Sequence, residues 1–139
     1  MKTYPAHIWK EENNSYSVEF PDLPGCFTSG ETLENAKAHA EEALTVYLES
    51  LDSRSISIPE PSMISGTDFY DVAPTLNVSF AITLKQEREK QGLTQKEVAK
   101  KMGVAWSAYQ RIENPRKTNP TLSTIDKLQK VFGRPFFAF

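Results

Sequence analysis

The sequence predicts an α+β chain in two parts: a β-β-β-α-β unit over residues 1–74 and an all-α unit over residues 75–139. Three observations predict it. Tyr16, Val18 and Phe20 alternate with polar Ser17 and Glu19, the period of a half-buried strand, whereas from Leu33 onward apolar residues recur at helical spacing. Strand signals end near Pro74, and everything beyond it reads as short helices punctuated by glycine. Finally, residues 1–80 hold four basic against thirteen acidic side chains, a net of −9, while residues 81–139 hold twelve against five, a net of +7. Each half therefore attracts a different kind of surface.

The elements follow in order. Residues 3–9 and 16–20 read as strands joined by a polar turn at Glu11 to Ser15. Pro21, Pro24 and Gly25 break the pattern, and Cys26, Phe27 and Thr28 supply a short third strand before Gly30. Thr32 is placed to cap a helix, with Glu31 and Glu34 at the positive end of its dipole. Leu33, Ala36, Ala40, Ala43, Leu44, Tyr47, Leu48 and Leu51 form its apolar stripe. Ser53 to Gly66 is a loop containing Pro59 and Pro61, residues 68–72 are a fourth strand, and Ala73 to Asn77 is a linker.

Composition excludes several classes. With 39% apolar and 24% charged residues in 139, the chain is neither disordered nor fibrous. No apolar run approaches the roughly 20 residues that span a bilayer, and the amino terminus has no signal-peptide core. Cys26 is the one cysteine, and with only His7 and His39 beside it no Cys/His metal cage can be assembled. A reduced, metal-free, cofactor-free cytoplasmic protein is expected. Glu19 and Asp22 are too few carboxylates for a two-metal nuclease centre, and Cys26 has no base near it in sequence. No catalytic residue is assigned.

Leu93 to Val98 is the most informative stretch. Thr94 and Glu97 have capping-box spacing, and Leu93 and Val98 occupy the two positions of a hydrophobic staple. Val98, Ala99 and Met102 face inward, and Gly103 ends this helix where a positive φ is needed. After a short turn, Ala105 to Glu113 reads as a second helix burying Ala108, Tyr109 and Ile112. Two helices joined by such a turn make a helix-turn-helix. Val78 to Lys90 precedes it as a helix, and Thr121 caps a last one carrying Leu122, Ile125, Leu128, Val131 and Phe132, closed by Gly133.

In this arrangement the start of the second helix meets base edges in the major groove. The expected reading residues are Trp106, Ser107, Gln110 and Arg111, with Gln110 suited to adenine and Trp106 to a thymine methyl or a sugar. Gln95, Lys96, Lys100, Arg116, Lys117 and Asn119 suit phosphates, which set register and make affinity fall with salt.

Residues from about Leu84 to Gly133 resemble the Xre/Cro-type helix-turn-helix of phage repressors, on the strength of Arg88, Gly92 to Gln95, Val98, Ala99, Gly103, Ile112, Glu113, Asn119 and Pro120. The resemblance implies a structural ion pair between Arg88 and Glu113. Ala105 stands where that family has a Ser or Thr cap, Pro115 replaces a common glycine, and Trp106 is an unusual reader. The first half resembles the HicB antitoxin domain, carried by Tyr16 to Thr32 and the alanine-rich helix ending near Leu51. That likeness implies a partial ribonuclease H-like fold without a working site. It also implies a HicA-type toxin as partner, an mRNA-cleaving ribonuclease with a double-stranded-RNA-binding-like fold.

The expected function is a type II antitoxin whose acidic unit masks a ribonuclease toxin and whose basic unit represses its own operon on double-stranded operator DNA. The −9 charge then complements an RNA-binding toxin, with Glu11, Glu12, Glu41 and Glu42 as candidate contacts. The alternatives are a degenerate or active ribonuclease H-like nuclease, and a helix-turn-helix regulator whose first unit senses a ligand. Phe132, Phe136, Phe137 and Phe139 crowd the last eight positions. Their expected role is burial across a two-fold axis in a homodimer, because paired recognition helices need two copies; the alternative is that they fold back on their own small core.

Overall fold

A computed structural model describes residues 2–138. The order of elements is β1 (Tyr4–Lys10), β2 (Tyr16–Glu19), β3 (Phe27–Gly30), α1 (Leu33–Ser53), β4 (Phe69–Val72), α2 (Leu76–Lys90), α3 (Gln95–Met102), α4 (Trp106–Glu113) and α5 (Leu122–Phe132). Contacts divide it into two units, one ending at Thr75 and the next starting at Leu76.

The first unit is an antiparallel sheet of order β3-β2-β1-β4 with α1 on one face. The β1–β2 hairpin closes through the Glu11 N–H to the Ser15 carbonyl at 2.8 Å, with Asn14 supplying the left-handed residue at φ 70°. Ala6, Ile8 and Val18 point under α1, whose buried stripe is Ala36, Ala40, Leu44, Leu48 and Leu51. The Thr32 hydroxyl accepts from the Asn35 N–H at 3.0 Å and fixes where that helix begins. β3 falls one residue later at its start and two later at its end than the pattern predicts, because Cys26 closes the preceding loop instead. Its N–H and carbonyl bond to Leu23 and Phe20. Burial pushes the Cys26 thiol up to about 11, so the thiolate a nucleophile needs is scarce at neutral pH.

Gly30 sets how closely β3 and α1 approach. A Cβ on it would sit 2.4 Å from the Ala36 backbone nitrogen, so glycine is required here by space. Downstream, the Thr75 N–H donates to Thr45 Oγ1 at 2.9 Å. Leu76 and Asn77, expected in the linker, belong to α2.

The second unit packs four helices around Phe80, Leu84, Val98, Ala99, Met102, Tyr109, Ile125, Leu128, Phe132 and Phe137. The capping box at Thr94 is complete, and Gly103 and Gly133 both adopt the left-handed conformation, at φ 74° and 73°. The tail is a correction to the expected two-fold burial. Phe132 and Phe137 are buried in their own core, Phe137 stands edge-on to Phe80 at 5.2 Å, and half-buried Phe136 meets Phe132 at 5.4 Å. A short bundle leaves one end of its core open, and its own carboxy-terminal rings close it, so these rings give no reason of their own for a second copy. Phe139 lies outside the described residues.

Candidate nucleic-acid interface

The helix-turn-helix is held by a buried ion pair. Arg88 Nε donates to Glu113 Oε2 at 2.9 Å and its Nη2 to Oε1 at 2.7 Å, while Nη1 donates to the Leu93 carbonyl at 2.8 Å. One guanidinium thus ties the end of α2 to the turn before α3 and to the last residue of α4. The Glu113 side chain is 2% exposed and that of Arg88 12%. Burial alone would raise the Glu113 carboxyl; hydrogen bonding, chiefly from Arg88, overcomes it and holds the group below its usual value. Tyr109 is buried beside this carboxylate, with its hydroxyl outside hydrogen-bond geometry, and burial followed by that carboxylate raises the phenol.

Gln95 and Trp106 extend the network outward. Gln95 Nε2 donates to Glu113 Oε1 at 3.2 Å, and Gln95 Oε1 accepts from Trp106 Nε1 at 3.3 Å. Gln95 is half-buried, its amide engaged at both ends, whereas phosphate binding was its expected task. Lys96 places its ammonium 4.5 Å from the centre of the Trp106 ring. The indole, 45% exposed at the first turn of α4, is therefore gripped on one face and at its N–H edge. Ala105 makes no side-chain cap, so α4 begins on the turn and this network alone.

Of the other expected residues, Ser107, Gln110 and Arg111 are exposed on α4, and Arg116, Lys117 and Asn119 are exposed in the loop to α5. Ala108, Arg111, Ile112, Lys117, Thr118, Asn119, Pro120, Thr121 and Thr124 line an open cavity of about 400 Å³. Thr118 went unnoticed in the sequence. It is buried, its hydroxyl has no partner, and no local pattern marks such a position. The cavity thus joins the cationic side chains of Arg111 and Lys117 and the N-terminal end of α5, a combination suited to an anion. Among the described residues no group of His, Cys, Asp or Glu is arranged to hold a metal, and no helix is long and apolar enough to cross a membrane.

A small antiparallel α+β unit followed by an all-α helix-turn-helix defines a two-part protein of the nucleic-acid-binding class. A family described as HicB-like antitoxin of bacterial toxin-antitoxin systems matches residues 4–91, more than half of the chain, and the chain belongs to that family. A helix-turn-helix family matches residues 84–139. Antitoxin HicB 1 of Photorhabdus laumondii is 32% identical over 130 residues, covering 94% of this chain and 81% of that protein. Antitoxin HicB of Escherichia coli K12 is 28% identical over 111 residues, 80% of each. The crystal structure of the Burkholderia pseudomallei antitoxin HicB shares the fold at a TM-score of 0.50 and 24% identity, over 56% of this chain and 67% of that one.

Proposed function

We propose that the chain neutralises a HicA-type RNA-cleaving toxin through its acidic first unit and represses its own operon through the basic second unit. What carries the DNA half is the exposed row of Trp106, Ser107 and Gln110 on a helix whose base is locked by Arg88 and Glu113. Rigid placement of reading side chains is what direct base readout requires. Lys96, Arg111, Arg116, Lys117 and Asn119 flank that row as phosphate contacts, and the cavity beside Thr118 gives one phosphate a seat. The protein acts in the cytoplasm, without catalytic activity of its own. It binds its operator as a homodimer, since one helix-turn-helix reads only half of a palindromic site.

What supports the toxin half is membership of the antitoxin family together with the −9 charge of the first unit. A ribonuclease must attract polyanionic RNA, so its surface is the complement of this one. The test is paired. The purified chain should restore translation in a cell-free system poisoned by its cognate HicA-type toxin, and should retard duplex DNA from its own promoter in preference to a shuffled sequence. Failure of the first sinks the antitoxin reading; equal retardation of both duplexes sinks operator recognition.

A further inference from the structure

The sheet has a second face that α1 does not touch. Strand alternation places His7, Trp9, Glu19, Phe27, Phe69 and Asp71 on it, opposite to the buried Ala6, Ile8 and Val18, while Pro5, which shares this face beside Asp71, is itself buried. The register aligns four of these in one row across all four strands: Phe27 opposite Glu19, Glu19 opposite His7, and His7 opposite Phe69. At the usual strand spacing this row is about 14 Å wide. His7 stacks on Phe69 at 4.9 Å and leans on Trp9 at 4.7 Å, so the aromatic surface continues along β1. Glu11 closes its end, accepting from Trp9 Nε1 and Ser17 Oγ at 2.8 Å each. Phe27, at the outer edge, is 68% exposed. Among the described residues α1 is the one helix of this unit, and it lies on the opposite face.

We propose that this aromatic face, rimmed by Glu11, Glu19 and Asp71, is where a cationic protein partner docks, and that the partner is the basic ribonuclease toxin. The location rests on the antitoxin reading above and adds to it which surface is used. An exposed Phe27 beside the half-buried rings of His7, Trp9 and Phe69 marks an interaction surface, and carboxylates set among them select its charge. Arginine or lysine can stack on Phe27, Trp9 and His7 while pairing with Glu19 and Asp71, in the way Lys96 already lies over Trp106. RNA also stacks on aromatic sheet faces, but phosphates are repelled by this rim and by a unit of net charge −9. A second copy would bring −9 against −9 and is disfavoured for the same reason. The carboxylates Glu41 and Glu42 are exposed on α1, which packs on the opposite face of the sheet, so they lie off this aromatic row.

The test is titration calorimetry of the 139-residue chain against its cognate HicA-type toxin, catalytically inactivated. Phe27→Ala and Glu19→Lys should each weaken binding at least tenfold, while Glu42→Lys and Val46→Ser on the outer side of α1 should change it less than threefold. Both sheet residues are exposed, so the variants should melt like the parent by circular dichroism. Parent binding that survives both sheet substitutions, or falls as far with the α1 pair, overturns the location and leaves the antitoxin reading intact. No binding by the parent overturns both. Binding of a single-stranded RNA that Phe27→Ala diminishes hands the face to nucleic acid, and a dimer that Phe27→Ala dissociates in sedimentation hands it to a second copy; either result overturns the proposal.

Discussion

Arg88→Ala should nearly unfold the helix-turn-helix unit, and the structure sets the size of the effect. Exposed ion pairs contribute up to about 1 kcal/mol, but removing one partner of a buried pair costs about 3–5 kcal/mol, because the other charge is left in an apolar setting. With Glu113 2% exposed, the second regime applies. A domain of some 60 residues is stable by roughly 3–10 kcal/mol in all, so most of that would be lost. The sign of the pH dependence should also change. In the parent, Glu113 is held below its usual value, so its contribution is present above the ordinary carboxylate pKa and is lost as pH falls through the depressed one. Without Arg88, burial prevails and raises the carboxyl, so the folded state takes up a proton more readily than the unfolded one. The variant should then gain stability as pH falls from 7 toward 5. Urea unfolding followed by circular dichroism, at pH 5 and pH 7, measures both effects. The double variant Arg88→Met, Glu113→Leu should recover most of the loss, since an apolar pair strands no charge. A loss under 1 kcal/mol for Arg88→Ala, or a pH slope equal to the parent's, would refute the reasoning.

Gln110→Ala should weaken specific operator binding by about 1–3 kcal/mol while leaving affinity for random DNA little changed, as read by competition gel shift. Lys117→Ala should weaken both alike and reduce the log–log salt slope by about 1. Gly30→Ala should destabilise the first unit by about 1–3 kcal/mol or more, through the clash with the Ala36 backbone, in chemical denaturation. Phe137→Ala should cost about 3–5 kcal/mol of second-unit stability; a normal melting curve accompanied by simple dissociation of a dimer would instead restore the tail to a subunit interface.

Residue order alone determined what is written in local pattern. The strand alternation of β2, the Thr32, Thr94 and Thr121 caps, the left-handed glycines at 103 and 133 and the opposite charges of the two halves all depend on neighbours a few positions apart. The resemblance added the pairing of Arg88 with Glu113, which spacing could not supply. Tertiary structure decided whatever depends on residues far apart in the chain. It turned Phe132, Phe136 and Phe137 inward, because a four-helix core this short needs them as its end wall. It bonded Gln95 to Trp106, since only folding brings α3 and α4 side by side. It also put Phe27, Glu19, His7 and Phe69 in one row, because strand register, which no single strand contains, sets which side chains become neighbours.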